Sequence, residues 1–119
     1  MTDTPLNPVD LENQIIAVKN TCHKGVQIFT DKHAAFLDAE TAYEHARANA
    51  FLEWDGPQTE KRHAAELGSA QERKAMNRAR VEFEYTKRKL DVYMAELSAL
   101  QNLNKGVRTA YAAERGYGS

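Results

Sequence analysis

Large side chains in the C-terminal half of the chain recur at alternating steps of four and three residues. The series is Ala79, Phe83, Thr86, Leu90, Tyr93, Leu97, Leu100, Asn104, Val107 and Tyr111. A 3.5-residue repeat is typical of helices that pack side by side as coiled coils. No proline follows Pro57, and no glycine lies between Ser69 and Lys105. The pattern therefore predicts one long helix over about 60–113, with a stutter or slight kink near 67–70 where the series stops fitting.

The N-terminal half of the chain predicts two further helices. Asn7-Pro8 is typical of a helix start, with asparagine as the cap and proline at the first helical position. Apolar residues then follow at helical spacing and predict a first helix over about 8–24. Gly25 favours a break or kink, because glycine weakens a helix interior. A second helix is predicted over about 26–54, with a seam of aromatic residues and alanines: Phe29, Phe36, Ala39, Tyr43, Ala46 and Ala50.

A short polar segment separates the second helix from the third. The sequence Asp55-Gly56-Pro57-Gln58 predicts a connection over 55–59, with Gly56 as a left-handed helix cap and Thr59 as the cap of the next helix. So short a connection makes its neighbouring helices antiparallel. The predicted fold is all-α: one domain, formed by a long coiled-coil-like antiparallel hairpin with a shorter N-terminal helix and a mobile tail over 114–119.

The end of this hairpin away from the connection carries the densest aliphatic surface. Two helices leave much of such a surface in water, so we expect a homo-oligomer that forms a helical bundle. The residues expected at that interface are Leu11, Ile15, Ile16, Val18, Leu97, Leu100, Leu103 and Val107. The alternative is a three-helix monomer. Asn104 lies on the seam, where it either fixes the register through a buried amide or marks a fraying end.

Apolar runs and cysteine content indicate the cellular compartment of the protein. The longest purely apolar run, Ile15 to Val18, is far shorter than a membrane span, and the N-terminus does not follow a signal-peptide pattern. The single cysteine, Cys22, fits a reducing compartment. We therefore expect a cytoplasmic protein without a membrane partner.

Charge is unevenly distributed along the chain, although the net charge is only -1. Residues 1–58 hold 4 Lys and Arg against 9 Asp and Glu, whereas residues 59–119 hold 12 against 8. The candidate nucleic-acid-binding residues lie in the basic half: Arg73, Lys74, Arg78, Arg80, Tyr85, Lys87 and Arg88. Three of these cations recur every seven residues and form one stripe beside the seam: Arg73, Arg80 and Lys87.

Two interpretations of the basic stripe remain open. The cations either contact phosphates, each contact releasing a counterion, with Tyr85 stacking on an unpaired base. Alternatively, the stripe pairs with Glu40 and its neighbours on the acidic second helix, as positions that flank a heptad seam commonly do.

Catalytic and metal-binding patterns are weak in this sequence. Glu60 and His63 have the Glu-x-x-His spacing of di-iron helical bundles, but such a site needs a second copy of the motif and two further glutamates. The sequence also has no cysteine pair and no glycine-rich phosphate loop. We therefore expect a non-enzymatic protein with no catalytic residues, no metal site and no cofactor.

The second predicted helix, the connection and the third helix resemble small all-helical bacteriophage proteins. The resemblance rests on Ala42-Tyr43, Ala46-Arg47-Ala48, Trp54-Asp55-Gly56-Pro57-Gln58-Thr59, Arg62 and Leu97-Ser98-Ala99-Leu100-Gln101. Genes for such proteins often lie beside those for single-strand annealing proteins or recombinases, and some of the proteins are likened to recombination mediators of the UvsY type.

The resemblance covers roughly residues 8–109. It implies an oligomer in the cytoplasm of a bacterial host that binds single-stranded DNA or a recombinase partner, with Arg78, Arg80, Lys87 and Arg88 in a basic ridge. The competing hypothesis is a pure protein-interaction module, such as a phage assembly scaffold or an inhibitor of a host protein.

Overall fold

The computed structural model describes residues 7–118, and the side chains of residues 7–114. Three α-helices carry the fold: α1 (Pro8–Glu53), α2 (Lys61–Gly68) and α3 (Ala70–Gly118), with a 3-10 turn over Gln58–Glu60 before α2. No strand occurs in the described part of the chain. The long helix α1 packs against the long helix α3, which confirms the predicted all-α helical hairpin.

The start of α1 follows the predicted capping chemistry. The Asn7 side-chain Oδ1 accepts a hydrogen bond from the Asp10 backbone N–H at 2.9 Å, and the Asn7 amide donates to the Asp10 carboxylate at 2.8 Å. The Leu11 N–H reaches the Asn7 carbonyl at 3.1 Å. Asn7 therefore satisfies backbone donors that the first turn of a helix cannot satisfy internally.

Gly25 does not break the helix, which corrects the prediction of separate helices over 8–24 and 26–54. α1 continues without interruption through this position. Gly25 lies on the seam of α1, and a Cβ placed there would lie 2.9 Å from Leu90 Cδ1 on α3. The glycine therefore admits a close approach of the leucine, and this packing offsets its weak helix propensity.

Contacts divide the chain into two compact units. The terminal unit combines Met1–Val26 with Arg88–Ser119, and the turn unit comprises Gln27–Lys87.

The terminal unit contains the aliphatic seam predicted as an oligomer interface. Six of the eight predicted residues are buried or half-buried within this chain: Leu11, Ile15, Val18, Leu97, Leu100 and Val107. Ile16 and Leu103 stay exposed, with 57% and 42% of their surface accessible. Oligomerisation at this end stays a prediction, and among the eight residues it rests on these two side chains.

Asn104 also lies on the seam of the terminal unit. Its Oδ1 atom is buried and has no hydrogen-bond partner among the described residues. The helix continues past it to Gly118, so the tail predicted over 114–119 is helical up to that residue, and Ser119 lies outside the described residues. The helix α3 therefore does not end at Asn104.

The turn unit is built on an aromatic cluster. The Phe83 ring on α3 lies 5.2 Å from Phe29, 4.7 Å from His33 and 5.8 Å from Phe36, all on α1. Rings at such separations interact favourably in addition to their burial of apolar surface. Phe83 is therefore part of the seam, as its heptad position predicts.

The connection between α1 and α2 is compact for a different reason than predicted. No described glycine has a positive φ, so Gly56 is not a left-handed cap. A Cβ on Gly56 would overlap the Trp54 indole, and the indole Nε1–H donates to the Pro57 carbonyl at 3.0 Å. Thr59 lies inside the 3-10 turn, and α2 begins without a side-chain cap. Gly56 therefore permits the backbone to lie against the indole.

The predicted irregularity near 67–70 is present as a break between α2 and α3 at Ser69. The Ser69 hydroxyl is buried and donates to the Ala65 carbonyl at 2.7 Å. Beside it, a Cβ on Gly68 would come within 2.6 Å of the Ala50 Cβ. Small side chains at this break therefore allow α2 to lie close to the end of α1.

Candidate nucleic-acid interface

The basic residues at the start of α3 fall into two rows within the turn unit. The flank row, next to the seam, consists of Arg73, Arg80 and Lys87, which repeat every seven residues. The outer row follows steps of four, three and four residues on the side of α3 away from the seam. It consists of Lys74, Arg78, Val81 and Tyr85. The heptad position therefore separates cations that are adjacent in sequence.

Two members of the flank row contact other parts of the turn unit. Arg73 Nη1 lies 3.5 Å from the Glu66 carboxylate on α2, and the Arg80 guanidinium lies 5.4 Å from the centre of the Phe36 ring on α1. Lys87 is exposed and makes no ion pair with the described residues. The Arg80 contact is of the kind that a cation next to a seam commonly makes with the facing helix.

The acid that binds the flank row is not the one expected. Glu66, which the sequence did not single out, accepts hydrogen bonds from Arg47 Nε at 2.6 Å and from the Tyr43 hydroxyl at 3.1 Å. Glu40 is half-buried and forms no ion pair within the described part of the chain. The pairing hypothesis is therefore wrong about the acid, since Arg73 pairs with Glu66 on its own side of the hairpin.

The hydrogen bonds to Glu66 also affect its titration. The Arg47 hydrogen bond, aided by Tyr43 and by the charges of Arg47 and Arg73, lowers the pKa of the Glu66 carboxyl group, against the opposing effect of partial desolvation. The carboxylate form is therefore the one that links α1, α2 and the start of α3.

The outer row has a different environment. All four side chains are exposed, with Val81 and Tyr85 66% and 63% accessible. Neither Lys74 nor Arg78 forms an ion pair with another described residue. The rise of α3 spreads the row over about 16 Å, with both cations at one end and Tyr85 at the other. Cations beside an exposed aromatic ring are the groups that bind single-stranded nucleic acids through phosphate contacts and base stacking.

Arg88 completes the set of predicted residues. It is exposed and begins the C-terminal segment of the terminal unit, so it is described with that unit. The turn unit brings together the other six predicted residues, divided between the two rows. Val81, which the sequence analysis did not name, lies on the outer row three residues after Arg78 and four before Tyr85.

Two surveys of the described residues add to this picture. No group of three or more His, Cys, Asp or Glu side chains in that part of the chain is arranged to hold a metal ion. None of the helices there combines the length and the hydropathy that crossing a membrane requires.

Comparison with known proteins adds no relative to this description. No protein family, no curated protein and no solved structure matches the chain.

Proposed function

We propose that this protein is a non-enzymatic helical accessory protein that binds single-stranded DNA through the outer row of α3. The proposal extends the resemblance to phage recombination proteins, in which an oligomer binds single-stranded DNA or a recombinase. The single observation that carries it is the composition of the outer row. Lys74 and Arg78 share an exposed face with Tyr85 and have no carboxylate partner among the described residues.

The outer row offers two kinds of contact with an unpaired strand. Lys74 and Arg78 can each neutralise a phosphate, and the release of the condensed counterions favours binding. The Tyr85 ring can stack on a base of any sequence, because every base has a flat aromatic face. Binding of this kind depends strongly on salt and only weakly on sequence. These are properties suited to an accessory protein that coats or delivers a strand.

A pure protein-interaction module, such as an assembly scaffold or an inhibitor of a host protein, is the second candidate. It is favoured by large apolar side chains near the connection, where Leu52 and Leu67 are 75% and 66% exposed. Exposed apolar surface of this kind often marks a protein contact.

The proposed function is tested by fluorescence anisotropy with a labelled oligothymidine at low salt. We expect the wild-type protein to bind, and the variant with Lys74→Gln and Arg78→Gln to bind at least roughly tenfold more weakly, because two phosphate contacts are lost. Glutamine keeps a good helix propensity, so circular dichroism should show unchanged helix content. Failure of the wild type to bind at low salt would refute the proposal and leave the interaction module as the better account.

A further inference from the structure

The turn unit contains an open cleft between the end of α1 and the helix α2, which we call the turn cleft. It encloses about 630 Å³. Its apolar wall is formed by Ala50, Ala64 and Leu67. A volume of this size is within the range of small-molecule and side-chain binding sites in proteins.

An aromatic side chain forms another wall of the turn cleft. Trp54 lines it, and its indole is fixed by the hydrogen bond to the Pro57 carbonyl and by the Gly56 backbone that lies against the ring. The indole is therefore held in place before any ligand binds. A fixed aromatic wall reduces the entropy lost on binding.

The polar lining of the turn cleft includes two carboxylates. Glu53 and Glu60 line it together with His63, and no lysine or arginine among the described residues does. The nearby Lys61 is not among the lining residues, and its ammonium group lies 4.7 Å from the centre of the Phe51 ring. An aromatic wall with two carboxylates and an aliphatic surface is complementary to a guanidinium group on an aliphatic stem.

We propose that the turn cleft binds an arginine side chain presented by a partner protein. The guanidinium group stacks on the Trp54 indole, Glu53 and Glu60 accept its hydrogen bonds, and the methylene stem lies against Leu67. Arginine fits better than lysine, because a planar cation can stack on the ring while its edge donates to both carboxylates. The site is separate from the outer row and does not depend on DNA binding.

Trp54 is the only tryptophan in the sequence, so its fluorescence reports on the turn cleft directly. The full-length protein is titrated with the peptide acetyl-Arg-Leu-Arg-Leu-amide, and in parallel with the same peptide carrying citrulline, a neutral isostere, in place of arginine. We expect a saturable change in emission with the arginine peptide, with half-saturation below roughly 1 mM, and no saturable change with the citrulline peptide.

Two double variants test whether the Glu53 and Glu60 carboxylates are responsible for binding arginine. Glu53→Gln with Glu60→Gln should weaken arginine-peptide binding by roughly tenfold or more, since two charge-assisted hydrogen bonds are lost. The matched control, Asp31→Asn with Asp38→Asn, removes the same charge from exposed positions of α1 in the same unit and should change binding less than roughly threefold. Circular dichroism of both variants checks the fold.

Three results of the peptide titrations and the variants would overturn the inference. They are an equal response to the two peptides, an equal loss of affinity in the two double variants, and no saturable response of the folded wild type to the arginine peptide. A change in Trp54 emission when the protein alone is diluted from high to low micromolar concentration would also overturn it, because the occupant would then be a second copy of this chain.

Discussion

The flank row and the outer row of α3 have similar charges but different surroundings. Arg73 and Arg80 contact Glu66 and the Phe36 ring, whereas Lys74 and Arg78 face away from the seam with no ion pair among the described residues. The difference follows from a shift of one or two residues in heptad position. For these four cations, the contacts that each one makes follow from the side of the helix on which it lies, and not from the local density of charge.

The largest expected effect on stability is the difference between truncating an aromatic residue on the seam and truncating one on the outer row. Phe83→Ala should lower the free energy of unfolding by about 2–3 kcal/mol, because it removes the ring that contacts Phe29, His33 and Phe36. Tyr85→Ala, two residues further along the same helix, should lower it by about 1 kcal/mol or less, because 63% of Tyr85 is accessible. Urea denaturation of the two variants checks this. A similar loss for both would contradict the assignment of Tyr85 to an outward face.

Two glycine-to-alanine substitutions should change stability by smaller amounts and in opposite directions, because one glycine is in close contact and the other is not. Gly68→Ala should destabilise the protein by about 1–2 kcal/mol, since the added Cβ meets Ala50. Gly106→Ala should stabilise it by about 0.5–1 kcal/mol, because the new methyl group meets no atom within 4 Å and alanine is the better helix former. Thermal unfolding followed by circular dichroism should show shifts of opposite sign. A lower midpoint for Gly106→Ala would indicate that this position is covered in solution.

Glu66, which pairs with Arg73 of the flank row, should contribute to the pH dependence of stability. Because the pKa of Glu66 is lowered in the folded protein, its contribution to stability is present above the pKa of an unfolded glutamate and is lost as the pH falls through the lowered value. Glu66→Gln should therefore reduce the difference between unfolding midpoints measured at neutral and at acidic pH. Glu96→Gln, at an exposed position of α3, serves as the matched control. An equal pH dependence of the unfolding midpoint in wild type and Glu66→Gln would show that the Glu66 carboxylate does not contribute to pH-dependent stability.

The heptad pattern predicted most of the fold because burial follows it closely. The positions from Ala79 to Val107 that were identified from spacing alone are all half-buried, and every other residue between them is exposed. The break expected at Gly25 was wrong, because local propensity could not reveal that Leu90 packs against this residue. Glu66 was missed for a similar reason, since its partners Tyr43 and Arg47 are distant in sequence and belong to another helix.

The candidate site was predictable only in part. The sequence identified the basic segment and selected Tyr85 over Phe83 as the exposed aromatic residue. It placed Arg73, Arg80 and Lys87 in one stripe beside the seam, but it did not arrange Lys74, Arg78 and Tyr85 as a row on the other side of the helix. A second series of four and three steps, offset from the seam, would have identified that outer row.

The most direct test of this account compares how removal of each row changes the salt dependence of binding to single-stranded DNA. Loss of two phosphate contacts in the variant with Lys74→Gln and Arg78→Gln should flatten the slope of log affinity against log salt concentration by about 1.4, at about 0.7 for each contact with a single strand. The variant with Arg73→Gln and Arg80→Gln loses the same charge, and its slope should stay close to that of the wild type while its unfolding midpoint falls. Equal flattening in both variants would contradict the division of α3 into an outer row that binds DNA and a flank row that supports the fold.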